Sequence, residues 1–371
     1  MPTVLDYFAR VTPYVIKKAI MSFYSNDPLF KHLLAGRKMK LQGGSEVRVP
    51  RIVGGHSDAT EISLSNFKVE FKGESVLDYG AYDWGMYVSP LVIPHINKWR
   101  ANSPADYQML VKDTTLAATT NFRQQVQKHL YLGNTVQANG QRFTKLGTLN
   151  GLTTGLGAKG LENGAIRFQT PAAQTAAAVT YLGMTRNFDT SARNTNNWVN
   201  WWGQHNGVNV DFFEAVEKVK SYIGAFSEDD DAGTGVTIGL CGTNTWNKIS
   251  RAARIYPGTG VQGQVVLSLK ELESGKGVPR ITQAAGVTFY PVRWMDTDLY
   301  GYAAAASLPT EACYLLDPQA IGWYVNQNMD FAMSPWRNLK ETQGIYADAA
   351  MIELQAQLVV ENILRVGAVS R

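Results

Sequence analysis

The amino-acid sequence predicts an α+β protein with one long, isolated helix. Three observations lead to this class. A long helical pattern follows Ser103, helices and short strands alternate over 211–317, and a strand pattern runs from Ile352 to Val366. Strands and helices that are grouped along a chain, with one compact segment in which they alternate, are typical of mixed layer architectures.

The composition favours a chain that contacts other protein molecules. Its 371 residues allow two or three domains at roughly 150 residues each. Only 18% of the residues are charged, where about 25% is usual, while Trp (9), Tyr (17) and Gly (34) are abundant. An aromatic content of 11% and a net charge of +4 exclude an intrinsically disordered protein. Surfaces that are poor in charge and rich in Tyr and Trp are typical of protein interfaces.

Neither a secretory signal nor a transmembrane helix is expected. The first residues lack a charged segment followed by an apolar one, and no apolar run approaches the length of a membrane span. Cys241 and Cys313 are too few for a disulfide framework or a zinc site, so we interpret both as buried apolar residues. We expect a protein that is made in a cytoplasm and has no membrane partner.

The N-terminal part of the chain combines an arm with a predicted β-ribbon. Residues 1–36 form a basic arm with one or two short helices, one of them over 14–24. Val47 and Val49 alternate with charged residues, and a similar alternation returns over 67–72. These two segments predict a long two-stranded ribbon. Because an isolated hairpin is only marginally stable in water, we expect the ribbon to pack on other protein surface.

The long helix has local start and stop signals. Ser103 is a suitable N-cap, with Pro104 at the first helical position and Asp106 in the first turn. Gly133 ends the pattern, so the helix is about 40 Å long at 1.5 Å per residue. Its buried row is predicted at i, i+4 spacing, at Leu110, Thr114, Ala118, Phe122, Val126 and Leu130.

A Gly- and Thr-rich stretch then precedes a compact α/β segment. Residues 147–207 carry few charges and the cluster Trp198, Trp201 and Trp202, and we interpret them as an irregular insertion or as short strands. A helix over 211–223 is predicted to bury one side, formed by Phe212, Phe213, Val216, Val219 and Ile223. It is followed by a strand over 236–241 and by a helix capped by Thr243 or Asn244. Further strands are predicted over 265–269, 287–294 and 313–317, and a terminal strand with one buried face over 352–366.

No catalytic, cofactor or metal site emerges from the spacing of residues. Gly155, Gly157 and Gly160 match a dinucleotide-binding G-x-G-x-x-G, but they lack the strand and helix that such a loop joins. The five histidines never pair at i+3 or i+4, and the acidic run 229–231 lacks the ligand spacing of an EF-hand. We expect a protein that is not an enzyme and that binds no cofactor or metal ion.

The order of the elements and several local phrases resemble one protein family. The likeness lies in LYLGNTV and FTKLGTLNGL after the long helix, in DFFEAVEKVKSYIG and VTIGLCGTNTWNKISRAARIYP in the α/β segment, and in MIELQAQLVVENILRVGAV at the end. The sequence resembles the major capsid proteins of tailed bacteriophages, whose fold also forms herpesvirus capsids and encapsulin shells. Residues 155–205 have no counterpart in that pattern and are interpreted as an insertion.

The resemblance implies a shell subunit that self-assembles into hexamers and pentamers of an icosahedral head enclosing double-stranded DNA. Two alternatives stay open. One is an encapsulin-like compartment with a cargo enzyme, and the other is a different virion or surface binding protein with an exposed Trp platform. The implied regions are an N-terminal arm (1–36), an extended ribbon loop (37–88), a peripheral domain (89–150 and 335–371) with a spine helix over 103–132, and an axial domain (151–334).

The same resemblance implies the partners and the contact residues. Copies of the chain are the main partners. The other implied partners are a portal, a separate scaffolding protein, a possible decoration protein and packaged double-stranded DNA, which is contacted without sequence specificity. Assembly would take place in the host cytoplasm and the mature location would be the virion, with no cleavage of the N-terminal end. The residues expected at contacts between subunits are Lys17, Lys18, Arg37, Lys38, Lys40, Arg48, Lys68, Glu70, Lys72, Trp198, Trp201 and Trp202.

Overall fold

The structure is a computed structural model, which describes residues 27–33, 38–52, 77–100, 103–132, 148–150, 164–166, 179–181, 184–186, 201–208, 210–224, 238–255, 282–284, 286–296, 311–340, 344–361 and 365–371. Its strands, in chain order, are β1 (Lys38–Leu41), β2 (Glu46–Ile52), β3 (Leu77–Asp83), β4 (Gly85–Pro94), β5 (Thr148–Asn150), β6 (Gly164–Ile166), β7 (Val179–Tyr181), β8 (Met184–Arg186), β9 (Trp201–Gln204), β10 (Ile238–Cys241), β11 (Thr282–Ala284), β12 (Val287–Pro291), β13 (Cys313–Leu316), β14 (Ile321–Asn326), β15 (Ala332–Met333), β16 (Arg337–Asn338), β17 (Ala347–Val360) and β18 (Val366–Ser370).

Helices and sheets occur together, which confirms the predicted α+β class. The shorter helical segments are a π-helical turn, Leu29–Leu33, and two 3₁₀ turns, Arg293–Met295 and Pro318–Ala320. The α-helices are α1 (His95–Arg100), α2 (Pro104–Leu132), α3 (Val210–Gly224) and α4 (Thr243–Ile255).

One six-stranded sheet is organised around β17. This strand pairs antiparallel with β4, from Ala347 opposite Pro94 to Ala356 opposite Gly85. It also pairs with β14, β15 and β16, and β14 pairs in parallel with β1. The sheet therefore brings together strands from both ends of the described chain.

A second six-stranded sheet has the order β11-β12-β10-β13-β18-β9. Helices α3 and α4 pack on it, and their buried residues form one apolar cluster with residues of the sheet such as Phe289 and Val369. Cys241 and Cys313 lie opposite each other on β10 and β13, and both are buried free thiols, as the sequence predicts. Burial is the main cause that raises the pKa of the Cys313 thiol.

The predicted single terminal strand is two strands in two different sheets, so that prediction is wrong in its extent. β17 ends at Val360, and β18 begins at Val366 beside β13 and β9. Burial alternates along the first part of β17, but both faces are buried from Ala356 onward. Period-two alternation reports which face is covered, and it carries no information on which sheet a strand joins.

Helix α2 begins where the sequence predicts, because Ser103 Oγ accepts a hydrogen bond from the Asp106 backbone N–H at 3.1 Å. The buried row of its N-terminal half is displaced by one residue from the prediction. Phe122, Val126 and Leu130 are buried as predicted, whereas Leu110, Thr114 and Ala118 are only half-buried. The residues buried in their place are Tyr107, Val111, Thr115 and Thr119.

The threonine hydroxyls of both rows are satisfied within the helix, since Thr114 Oγ1 donates to the Leu110 carbonyl at 2.7 Å. Thr115 Oγ1 donates to the Val111 carbonyl at 2.8 Å, and Thr119 Oγ1 donates to the Thr115 carbonyl at 2.8 Å. Each hydroxyl is thus satisfied within the helix and can be buried without a partner from another element. The hydroxyls therefore do not distinguish the two rows, and contacts with the rest of the subunit, such as that of Ile93 with Tyr107 and Val111, decide which row is buried.

Helix α3 buries the five residues predicted for its inner side, while helix α4 has an unexpected cap. The buried residues of α3 include Phe212, Phe213 and Ile223. At the start of α4, Asp296 accepts hydrogen bonds from the backbone N–H groups of Thr243 (2.8 Å) and Asn244 (3.1 Å). The capping side chain therefore comes from a distant segment and not from Thr243 or Asn244.

The first strand of the predicted ribbon is confirmed, but its described partner is a different segment. β2 pairs antiparallel with β3, from Glu46 opposite Asp83 to Ile52 opposite Leu77. The predicted second strand over 67–72 lies outside the described residues, as do the predicted helix over 14–24 and the strand over 265–269. Val47 and Val49 are buried in the main core, so the base of the ribbon packs on its own subunit.

Candidate assembly surfaces

The outward side of β4 is apolar at every position. Burial alternates along the strand, and its inward residues include Tyr87 and Ile93. Tyr87 meets Phe122 of α2 edge-on at 6.4 Å, and Ile93 packs with Tyr107 and Val111 of the same helix. The exposed residues on the other side are Met86, Val88, Pro90, Val92 and Pro94.

Met351 of strand β17 extends this apolar side, and Glu353 and Gln355, opposite Val88 and Met86, border it with polar side chains. Met351 lies opposite Pro90 and is 49% exposed, close to the values for Met86 (53%), Val88 (45%) and Val92 (47%). A sheet with one solvated face normally presents polar side chains there. We call the set Met86, Val88, Pro90, Val92, Pro94 and Met351 the β4 face.

The two prolines of the β4 face affect how another molecule can meet this strand. β4 pairs with β17, and no second described strand pairs with it. Proline has no N–H to donate, so Pro90 and Pro94 interrupt the row of donors that an added strand requires. A partner is therefore better accommodated on the β4 face than along its edge.

The structure places three of the predicted contact residues around the ribbon base and the first sheet. Lys38 Nζ lies 2.6 Å from Asp330 Oδ2, in a half-buried ion pair within the chain. Lys40 is exposed on β1. Arg48 is exposed on β2 and pairs with Glu46 at 2.6 Å between Nη2 and Oε1. Of these three, Lys40 and Arg48 have the exposure that a contact with another subunit requires.

Two of the three predicted Trp residues belong to a sheet strand. Trp201 and Trp202 lie on β9, where they are opposite Gly367 and Ala368 of β18. The last part of the interpreted insertion therefore contributes a strand to the second sheet. The other predicted contact residues, Lys17, Lys18, Arg37, Lys68, Glu70, Lys72 and Trp198, lie outside the described residues.

Three residues near the end of the predicted arm are part of the subunit's own core. Leu29 and Phe30 are buried, and the Phe30 ring meets the Trp323 ring edge-on with centroids 5.1 Å apart. Asp27 is also buried and accepts a hydrogen bond from the Tyr131 hydroxyl. Sequence reasoning missed this, although Asp27 and Pro28 before the apolar pair Leu29 and Phe30 are a local helix-start signal.

Two buried histidines have pKa values below their ordinary value. Burial is the main cause that lowers the pKa of His129 to about 4 and that lowers the pKa of His205. Across the part of the chain that the structure describes, no three His, Cys, Asp or Glu side chains are grouped to hold a metal ion. None of the described helices is long and apolar enough to cross a membrane.

Comparison with known proteins rests on structure, because no family model and no curated protein matches the sequence. The capsid asymmetric unit of cyanophage A-1(L) is similar at 10% identity and a TM-score of 0.58, covering 91% of this chain and 91% of that chain. The capsid of cyanophage P-SCSP1u has a TM-score of 0.45 at 10% identity, covering 92% of this chain and 87% of that chain. An encapsulin complex from Synechococcus elongatus has a TM-score of 0.44 at 8% identity, covering 93% and 87%.

The last two structures are too distant to define the fold, but the first is similar over nearly the whole of both chains. This chain therefore has the capsid shell fold of tailed bacteriophages.

Proposed function

We propose that this chain is the major capsid protein of a tailed bacteriophage and that it self-assembles into the hexamers and pentamers of an icosahedral head. The observation that carries the proposal is the β4 face, a row of exposed apolar side chains that Glu353 and Gln355 of β17 border on the isolated subunit. Contiguous exposed apolar patches on soluble proteins mark interaction sites. In a shell, the molecule that covers this face is a second copy of the chain.

The size of the β4 face suits an assembly built from many weak contacts. Removing a half-exposed Val or Met side chain from water contributes about 1 kcal/mol. Together, the side chains of Met86, Val88, Val92 and Met351 thus contribute about 4 kcal/mol per contact, before the cost of association. One such contact is too weak for a stable dimer, but a closed shell repeats it in every subunit.

The remaining parts of the proposal are supported by the fold and by the sequence. The ribbon residues Lys68, Glu70 and Lys72, together with the exposed Lys40 and Arg48, would contact neighbouring subunits. The head would enclose double-stranded DNA, and a net charge of +4 suits proximity to DNA without sequence readout. A portal, a separate scaffolding protein and assembly in the host cytoplasm complete the proposal.

Electron microscopy of the purified full chain tests the proposal, with Val88→Lys as the informative variant. We expect icosahedral particles from the unmodified protein and from Val88→Thr, which keeps the β-branched shape without a charge. The lysine variant should remain a folded subunit or small oligomer in sedimentation velocity, because a charge on the β4 face must be desolvated in the contact. Circular dichroism of both variants checks that the subunit is folded.

The possible outcomes distinguish an error about the β4 face from an error about the shell function. Normal particles from Val88→Lys would show that the β4 face is not a subunit contact, while the shell function would stand. An unmodified protein that stays monomeric at all concentrations would contradict the shell function itself. Particles that contain a second protein and no DNA would favour the compartment alternative.

A further inference from the structure

A titratable carboxyl group lies inside the core at the end of the N-terminal arm. Asp27 Oδ1 accepts hydrogen bonds from the Tyr131 hydroxyl and, at 2.9 Å, from the Leu29 backbone N–H. The Asp27 carbonyl also accepts a hydrogen bond from the Lys31 backbone N–H at 2.9 Å, an i to i+4 bond that overlaps the π-helical turn. One side chain therefore connects the turn to the helix that contains Tyr131.

Both the hydroxyl and the backbone carbonyl of Tyr131 make hydrogen bonds. It lies in the last turn of α2 and is fully buried, and its carbonyl accepts from the Tyr314 hydroxyl at 3.3 Å. Tyr314 belongs to β13 of the second sheet. Asp27 thus binds the arm to the point where the long helix meets the second sheet, and the arm continues from Asp27 towards the N-terminus.

The effect of burial on the pKa of Asp27 is larger than the opposing effects of its hydrogen bonds and of the nearby positive charge. Burial is the largest effect and raises the pKa of Asp27 from its ordinary value of 3.8 to about 6. Hydrogen bonds from Tyr131 and from the Leu29 and Phe30 N–H groups lower it, as does the positive charge of Arg123 on α2. Arg293 is the other charged group close to Arg123, and its repulsion helps to lower the pKa of Arg123.

We propose that Asp27 is a proton-sensitive anchor of the N-terminal arm, whose neutral carboxyl holds residues 27–33 on the core more firmly than the ionised carboxyl does. The proposal concerns the single subunit and does not depend on shell formation. In a shell, it would couple the attachment of residues 1–26 to the pH around the particle. Phe30 and Leu29 keep the turn in place at all pH values, and Asp27 adjusts how often it opens.

The direction of the effect follows from proton linkage. The folded state binds the Asp27 proton more tightly than the open state does, so the anchor is fully effective below about 3.8 and weakens as pH rises through about 6. From these two values, the opening equilibrium constant of the turn increases about tenfold between pH 5 and pH 7.5. His129 acts in the opposite direction between about 6.5 and 4, because burial lowers its pKa, and it affects only openings that expose His129 to water.

Hydrogen–deuterium exchange of the full chain measures this opening directly. After correction for the intrinsic exchange rate, we expect the peptide that spans 27–33 to be about tenfold better protected at pH 5 than at pH 7.5. The peptide from α3, which contains Phe212 and Ile223, reports the pH dependence of openings elsewhere in the subunit, and the change in 27–33 is measured relative to it. Equal protection of 27–33 at both pH values would overturn the proposal.

Two variants separate the anchor from a general effect of pH. Asp27→Asn removes the titration, so its 27–33 peptide should show the same protection at both pH values. Tyr131→Phe removes a hydrogen bond that favours the ionised carboxylate, so the midpoint of the change should move to higher pH. An unchanged midpoint in Tyr131→Phe, or an unchanged pH dependence in Asp27→Asn, would contradict the role of Asp27 even if the other variant fails to fold.

Discussion

Asp317 and Arg365 form a buried ion pair that joins the two short connections between the sheets. Arg365 Nε lies 2.6 Å from Asp317 Oδ2, and the two side chains are only 9% and 3% exposed. Asp317 lies between β13 and β14, and Arg365 lies between β17 and β18, so each residue is at a point where the chain passes from one sheet to the other. Glu361 N–H also donates to the Ala320 carbonyl at 2.8 Å, next to the pair.

Removing one member of this pair should destabilise the subunit strongly. Arg365→Met leaves the Asp317 carboxylate buried without its counter-charge, and we expect a loss of about 3 kcal/mol in the free energy of unfolding. The double variant Arg365→Met with Asp317→Asn should recover part of that loss, since no buried charge is then left. Urea unfolding measures both. Equal stability of the single variant and the unmodified protein would show that the pair is not coupled to folding.

The cap of α4 depends on Asp296, which lies after β12. Asp296→Ala leaves the N–H groups of Thr243 and Asn244 without their acceptor, and we expect a loss of about 1–2 kcal/mol in thermal or urea unfolding. Thr243→Ala is the matched control and should change stability by much less. Gly242→Ala should also destabilise, because its new Cβ would lie 2.5 Å from Asp296 Oδ1. If Thr243→Ala destabilised the subunit more than Asp296→Ala, the helix would be capped by its own first residue and not by Asp296.

Two N-terminal deletions should behave differently. Deleting residues 1–26 leaves the buried Leu29 and Phe30 in place, so we expect a folded subunit that no longer forms shells. Deleting residues 1–36 also removes these two side chains from the core, and the loss should exceed about 3 kcal/mol. Circular dichroism and negative-stain microscopy distinguish the two chains. Closed shells from the shorter deletion would contradict a role of the arm in assembly.

Acid should destabilise the subunit through His129. Burial and the nearby charge of Lys128 lower the pKa of His129 to about 4, so the folded state binds this proton less readily than the unfolded state. The stabilisation is present above about 6.5 and is lost as pH falls through about 4, by about 3 kcal/mol in total. His129→Gln should flatten the decline in unfolding free energy between pH 6.5 and pH 4. If the unfolding free energy of His129→Gln declined by the same amount, the decline would come from groups other than His129.

The β4 face shows why the candidate surface was not predicted. The sequence of this strand is apolar on both sides, since Tyr87, Leu91 and Ile93 alternate with Met86, Val88 and Val92. Such a run is typical of a strand that is buried on both faces. Only the tertiary structure shows that α2 covers one side and that nothing in the described subunit covers the other.

Local signals were sufficient for the elements whose stability is local. The Ser103 cap, the inner side of α3 and the burial of Cys241 follow from residues within one or two turns or one strand. The amino-acid sequence by itself thus determined the α+β class, the start of the long helix and the resemblance to capsid proteins. Tertiary structure alone decided the pairing of β2 with β3, the capping of α4 by Asp296, the division of the terminal strand between two sheets and the burial of Asp27. The reason is physical: strand partners, distant caps and buried carboxyl groups depend on contacts between residues far apart in the chain, and no local periodicity encodes those contacts.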